Sequence, residues 1–161
     1  MNPLSRFLAA LASILGLVGC GSSPMEQLKP GVSTAQEIRA RLGAPGMEWR
    51  NADGGTTWEY SGQPEGTQCW MLTLDAGGVL QSLEQTLTDK HLARIEKGWT
   101  EAQVRRLLGK PRSEVKSERK PEVVWEWKVE ATFPNGRAFY HVYFDPAGTV
   151  TRIDLREDAP H

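Results

Sequence analysis

The chain has 161 residues, of which 39% are hydrophobic and 24% are charged, and its formal net charge is −1. So small a net charge gives no electrostatic reason to expect a nucleic-acid partner or a polybasic attraction to lipid. A charged fraction near one quarter is ordinary for a soluble globular domain.

The N-terminal residues 1–19 have the three parts of an export signal. Arg6 gives a positive start, residues 7–18 form an apolar run, and small residues follow. That run is shorter than the roughly 20 residues that a membrane-spanning helix needs. The sequence therefore predicts a signal peptide that directs export.

A cysteine at the end of the apolar run indicates a particular kind of export signal. The segment Leu17-Val18-Gly19-Cys20 resembles the lipobox of bacterial lipoproteins. The resemblance implies cleavage before Cys20, acylation of its sulfur and amino group, and a lipidated tether over residues 20–24. Gly21 stands where an Asp would signal inner-membrane retention, so the resemblance favours the periplasmic face of the outer membrane. An ordinary secretory signal with a chance cysteine is the alternative.

The second cysteine, Cys69, has no disulfide partner if Cys20 is acylated. It lies in an apolar segment, and we expect it to be a small buried residue. Intermolecular pairing and a redox role are the alternatives.

One sequence template occurs twice after the tether. The first copy contains the segments 31–38 and Leu42-Gly43-Ala44-Pro45, and the second contains 98–104 and Leu108-Gly109-Lys110-Pro111. A repeat this long indicates two copies of one folding unit. We place the first unit at residues 25–88 and the second at 89–161.

Each copy predicts a short capped helix. Ser33 or Thr34 in the first copy and Thr100 in the second are good N-caps. Gly43 and Gly109 occupy the position just after the helix, where a left-handed residue ends it. Apolar residues three and four apart, just before each cap, predict a further helical turn.

Each helix is followed by alternating apolar segments that predict three strands. The segments are 56–60, 69–74 and 79–87 in the first copy, and 123–129, 138–144 and 149–155 in the second. The expected fold is α+β, a tandem repeat of helix-helix-β-β-β units. Each unit has an antiparallel sheet with its helices on one face.

The second copy resembles the opening of the BamE (SmpA/OmlA) lipoproteins. The matching residues are Gly98-Trp99-Thr100, Gln103-Val104, Leu107-Leu108-Gly109 and Pro111. The resemblance implies a non-enzymatic outer-membrane lipoprotein that supports barrel-protein assembly or envelope integrity. Its partners would be envelope proteins, with the barrel-assembly machinery as a candidate. The doubled unit is also similar to the β-lactamase inhibitory protein fold, so an inhibitor or modulator of a periplasmic hydrolase is the alternative.

The sequence has no recognisable catalytic, cofactor or metal motif. Its three histidines are scattered and none has the spacing of a metal ligand. Glu59 and Glu126 occupy the same place in the two copies, and we expect them to be solvated or paired across strands. An enzymatic function, a cofactor and a metal are therefore not expected.

Aromatic residues on the strands are the better candidates for a functional surface. The segment 139–144 has aromatic residues on both faces, although only one face can meet the helices. The aromatic residues on the other face are then left for a partner to cover. Aromatic residues are frequent anchors of protein interfaces, so this face is a candidate binding surface. The alternative is that all of them fill the core. The candidate partner-binding residues are Phe139, His141, Tyr143, Trp58, Trp125 and Trp127.

Overall fold

The structure is a computed structural model that describes residues 23–158. The predicted signal and the lipidation site Cys20 lie outside the described residues. The elements follow in the order α1 (Ala35–Leu42), β1 (Met47–Arg50), β2 (Thr56–Ser61), β3 (Cys69–Leu74), β4 (Leu80–Gln85), α2 (Asp89–Leu92), α3 (Glu101–Leu108), β5 (Ser113–Lys116), β6 (Val123–Val129), β7 (Arg137–Phe144) and β8 (Val150–Asp158). None of these helices is long and apolar enough to cross a membrane.

The strands form two separate antiparallel sheets. Sheet 1 has the order β1-β2-β3-β4, and sheet 2 has the order β5-β6-β7-β8. The described chain is thus mostly β with a few short helices. Each copy has four strands rather than the predicted three, because β1 and β5 were not expected. These two strands have only four residues each, and most of those residues are exposed. Segments of four residues are too short for alternation alone to predict a strand.

The predicted pair of helices in each copy is not found as such. In the first copy residues 25–32 form turns, and in the second copy α2 is a single turn of four residues. Both segments carry the apolar spacing of a helical turn. They lack the length that sustains a helix.

The helix ends are the predicted ones. Thr34 Oγ1 accepts a hydrogen bond from the Glu37 N–H at 3.3 Å. Thr100 forms a full capping box, in which Gln103 also accepts from the Thr100 N–H at 2.8 Å. Gly43 and Gly109 end α1 and α3 with φ of 81° and 79°, a conformation that is nearly reserved for glycine.

A first core lies between α1 and one face of sheet 1. Ile38 of α1 packs with Trp58 of β2 and Leu72 of β3, and all three are nearly fully buried. Burial of each such side chain contributes roughly 1.5–3 kcal/mol. The other buried members of this core are Met25, Leu28, Leu74 and Leu80.

A second core places α3 between the two sheets. Val104 and Leu108 of α3 pack in one cluster with Met71, on the second face of sheet 1, and with Trp127 of sheet 2. The layers therefore follow in the order α1, sheet 1, α2 with α3, and sheet 2. Sheet 1 has helices on both faces, which corrects the prediction of helices on one face only. Sheet 2 has them on one face.

A buried carboxylate fixes α3 on sheet 1. Glu59 of β2 is 1% exposed. It accepts hydrogen bonds from the Arg105 guanidinium and, at 3.0 Å, from the Lys110 N–H. This arrangement corrects the expectation that Glu59 is solvated or paired within its own sheet, because both donors come from α3 and the residues just after it.

We predict that Gly109→Ala destabilises the protein more than Gly43→Ala does. Both glycines have the same backbone conformation, whose strain costs an alanine about 1–3 kcal/mol. A Cβ at Gly109 would also collide with Cys69 Sγ, whereas a Cβ at Gly43 meets nothing within 4 Å. The collision should lower the free energy of unfolding of Gly109→Ala by about 1–3 kcal/mol more than that of Gly43→Ala. Urea unfolding of the two variants measures it, and equal losses would contradict the close contact between α3 and sheet 1.

We also predict that Glu59→Gln lowers the free energy of unfolding by about 2–3 kcal/mol, because it leaves the largely buried Arg105 without a counter-charge. Glu48→Gln is the matched control. Glu48 pairs with Arg39 in solvent, with side chains 43% and 49% exposed. Its loss should cost less than about 1 kcal/mol. Similar unfolding midpoints for the two variants would show that Glu59 does not fix the layers.

Candidate functional site

The face of sheet 2 that points away from α3 is the candidate functional site, and we name it the outer face. Side chains directly opposite in an antiparallel pair share a face. His141 of β7 stands opposite Glu126 of β6 and Asp154 of β8, and this row defines the centre of the surface. The other members of the outer face are Ser113, Val115, Val124, Lys128, Arg137, Phe139, Tyr143, Arg152, Arg156 and Asp158.

Three of the predicted partner-binding residues lie together here. Phe139 is half-buried, His141 is 9% exposed and Tyr143 is 5% exposed. Tyr143 is buried by its neighbours on the sheet, since the Arg152 guanidinium carbon lies 3.4 Å from its ring centroid. Arg112 stacks in the same way, 5.4 Å from the ring of Phe139. The surface is thus a layer of aromatic rings covered in part by arginines.

A carboxylate at the centre of the outer face joins these groups. Glu126 accepts a hydrogen bond from Arg112 Nη1 at 2.5 Å, and its other oxygen lies 2.9 Å from His141 Nε2. Glu126 is therefore paired across strands, as expected. His141 Nδ1 is buried and has no hydrogen-bond partner. With Nε2–H donated to Glu126, this nitrogen is an unused acceptor.

A shallow depression lies on the outer face, beside Glu126 and His141. Its volume is about 340 Å³, at the lower end of the range of small-molecule sites. The lining residues are Ser113, Val115, Ser117, Val124, Glu126, His141, Tyr143 and Arg156. Among residues 23–158 no group of three potential metal ligands is found.

The corresponding face of sheet 1 is covered by the second half of the chain. Glu59 stands opposite Met71 as Glu126 stands opposite His141. Met71 packs under α3, while Glu59 holds Arg105. No element of residues 23–158 covers the outer face of sheet 2 in that way. The two sheets thus present equivalent surfaces, one occupied and one open.

The three tryptophans proposed as partner-binding residues are not on this surface. Trp58 lies in the first core, and Trp125 and Trp127 lie in the second, with exposed fractions of 4%, 7% and 0%. Their strands turn these positions toward the helices, so a partner cannot reach them. This corrects the prediction and follows the alternative, in which they fill the core.

Several residues of the surface were missed by sequence reasoning. Val115 is 55% exposed on β5, a strand that was not predicted. Arg112 and Arg152 contact the rings of Phe139 and Tyr143, which lie on another strand. The sequence alone does not show which residues of different strands lie side by side. The signal that could have found Arg152 is its alternation with Asp154 and Arg156 on one face of the last strand.

Cys69 lies away from the outer face, in the second core. It is buried in β3 as predicted. Burial, and then the nearby Glu59 carboxylate, raise the pKa of its thiol to about 12. Because the thiolate is the reactive form, the Cys69 thiol is unreactive in the folded protein near neutral pH.

We therefore predict that the native protein resists alkylation at Cys69 between pH 7 and pH 9. A raised thiol pKa keeps the proton on sulfur until the pH approaches about 12, so thiolate is scarce over this range. In urea the same cysteine should label rapidly. Mass spectrometry of the peptide that contains Cys69, after iodoacetamide treatment, measures both states. Rapid labelling of the folded protein would contradict its burial.

Comparisons with known proteins identify no family. The chain matches no protein-family model, and no curated protein is significantly similar to it. Membership of the BamE family is therefore not supported. Among solved structures, the chain is similar to a DUF4309 family protein from Bacillus subtilis, with 12% identity, coverage of 85% of this chain and 86% of that one, and a TM-score of 0.33.

Two further structures show likenesses of the same strength. A candidate β-lactamase inhibitor protein from Streptococcus mutans has 15% identity, with 77% of this chain and 82% of that one covered and a TM-score of 0.34. An extracellular protein containing a SCP domain, from Bacillus anthracis, has 11% identity, with 96% of this chain and 56% of that one covered and a TM-score of 0.33. At these scores none of the likenesses assigns a function to the chain.

Proposed function

We propose that the protein is a non-enzymatic binding module that docks a protein partner on the outer face of sheet 2. The observation that carries the proposal is the difference between the two sheets. The equivalent face of sheet 1 is buried under α2 and α3, whereas the outer face is open among residues 23–158. A second protein supplies the missing cover.

The composition of the outer face supports a protein partner. Tyrosine and arginine are enriched among the residues that dominate binding energy at interfaces. Tyr143 under Arg152 and Phe139 under Arg112 supply two such pairs, and their guanidinium groups keep free N–H donors at the surface. The expected partner surface offers carboxylates or carbonyls to the arginines. It also offers an apolar side chain to the exposed Val115.

The proposed location is the cell envelope. Cys20 would carry the lipid and anchor the chain to the periplasmic face of the outer membrane, as the lipobox resemblance implies. Three acyl chains make a firm anchor, since each buried methylene contributes about 0.8 kcal/mol. Partners would then be proteins of the same compartment. The barrel-assembly machinery is one candidate, and a periplasmic hydrolase that the protein inhibits or modulates is the alternative.

We predict that Val115→Asp abolishes partner capture while leaving the fold intact. Val115 is 55% exposed, so its replacement should change the free energy of unfolding by less than about 0.5 kcal/mol. An aspartate there places an unpaired charge in the proposed interface. The measurement is in-cell crosslinking of a C-terminally tagged chain with its own signal, followed by mass spectrometry of the captured proteins.

Lys116→Glu is the matched control, because the neighbouring residue on β5 is also exposed but faces the other side of the sheet. Its capture should equal that of the unmodified chain. Capture of the barrel-assembly machinery, lost only in Val115→Asp, would support a role in envelope assembly. Capture of a soluble hydrolase, with inhibition on mixing, would support the alternative. Undiminished capture by Val115→Asp would overturn the outer face as the docking site.

A further inference from the structure

The last strand, β8, leaves a long free edge on sheet 2. It is the terminal strand in the order β5-β6-β7-β8 and runs from Val150 to Asp158. Among backbone hydrogen bonds of residues 23–158, only the first residue of β8 is bonded on the outer edge, where Val150 exchanges two 2.8 Å hydrogen bonds with Gly98 and Trp99. From Thr151 onward no described strand pairs with this edge. Free edges of this kind are templates for another strand.

Two exposed apolar residues lie on the side of β8 that faces α3, before Glu157, which accepts hydrogen bonds from Thr132. Ile153 is 42% exposed and Leu155 is 53% exposed. The fold does not require an apolar residue at the position of Leu155. In sheet 1, Gln85 stands opposite Trp70 as Leu155 stands opposite Tyr140. An exposed leucine where the other copy has a glutamine favours a contact beyond the sheet.

On the outer-face side of β8 the charges alternate in sign. The sequence of that face is Arg152, Asp154, Arg156 and Asp158. Cross-strand pairs of opposite charge stabilise an antiparallel sheet, and like charges placed directly opposite destabilise it. These four residues favour a neighbouring strand that places a residue of opposite charge opposite each of them. A second copy of β8, running antiparallel, meets this condition.

We infer that two copies of this chain pair through β8, antiparallel and about a two-fold axis at Leu155. In that register Arg152 stands opposite Asp158 of the second copy, and Asp154 stands opposite its Arg156. All four charges on the outer-face side of each strand are matched. On the other side the two Leu155 side chains meet at the centre, and Ile153 stands opposite Glu157 of the second copy. The paired residues are 152–158, which all lie on the free part of the edge. The interface is isologous, so it closes at two copies.

The neighbouring registers are disfavoured by the same charges. With Asp154 at the axis, Asp154 meets its own copy and Arg152 meets Arg156, so charged residues that meet on that face are of like sign. With Ile153 at the axis, Arg156 falls opposite Val150, whose edge already bonds Gly98 and Trp99. Only the register centred on Leu155 satisfies both the charges and the free edge.

The pairing would join two copies of sheet 2 into one eight-stranded sheet. The outer faces of the two copies then lie side by side on the same side of that sheet. This inference does not depend on the proposed partner, because it rests on the edge of sheet 2 and not on its face. Either can fail without the other.

Disulfide trapping tests the register in the full-length chain. Opposed Cα atoms in an antiparallel pair are about 4.5–5.5 Å apart, within the range of a disulfide. Leu155→Cys should therefore form a covalent dimer under mild oxidation, seen by non-reducing electrophoresis. Ile153→Cys and Asp154→Cys are matched controls on the same strand and should crosslink far less. The unmodified chain gives the background, since Cys69 is buried.

A charge exchange gives an independent readout. Asp154→Arg places arginine opposite Arg156 at two symmetric positions and should weaken dimerisation at least about tenfold in sedimentation equilibrium of the detergent-solubilised chain. Adding Arg156→Asp reverses both charges and should restore most of the affinity. A monomeric chain with no Leu155→Cys crosslink would overturn the pairing. Preferred crosslinking at Ile153 or Asp154, or a double variant as weak as the single one, would overturn the register.

Discussion

Sheet 1 carries the carboxylate of Glu59 in the middle of the face on which the second half of the molecule rests. Burying a carboxylate is costly unless hydrogen-bond donors replace the lost water. The Arg105 guanidinium and the Lys110 N–H are those donors, and they belong to α3 and the residues just after it. The position of α3 is thereby fixed in both distance and direction. Since sheet 2 packs on the other side of α3, its placement depends on the same contact.

The same position in the second copy has a different role. Glu126 is bonded to Arg112 and His141, which belong to its own copy, and it needs no donor from a further layer. His141 replaces the apolar Met71, and the arginines cover the rings that an additional helix layer would otherwise cover. On the outer face of sheet 2 the carboxylate is therefore paired within its own copy, whereas the carboxylate of sheet 1 is paired with the next layer.

Much of the repeat could be predicted from local signals. The helix ends could be predicted from Thr100 with Gln103 and from Gly43 and Gly109, because caps depend on residues only a few positions apart. Strands such as Cys69–Leu74 and Val123–Val129 were found at their observed bounds from apolar content alone. β1 and β5 were not, since a segment of only four residues is ordered by its neighbours in the sheet and is too short for its own pattern to predict a strand.

The candidate site was predictable only in part, for a physical reason. Alternation along β7 separates Phe139, His141 and Tyr143 from Tyr140, Val142 and Phe144, but it does not say which set meets the helix. The same limit applies to Trp125 and Trp127, which turned out to be core. The role of Glu59 could not be read from its own copy of the template, because its partners lie 46 and 51 residues further along the chain.

The order of the layers gives the molecule two unlike ends. The chain enters the described structure beside α1, where Met25 and Leu28 pack into the first core, and the outer face of sheet 2 closes the opposite end. With layers spaced about 10 Å apart, the two ends are separated by roughly 30 Å. An attachment through the residues before 23 would therefore act on the helical end of the molecule. The outer face of sheet 2 would then lie at the other end, with the layers between them.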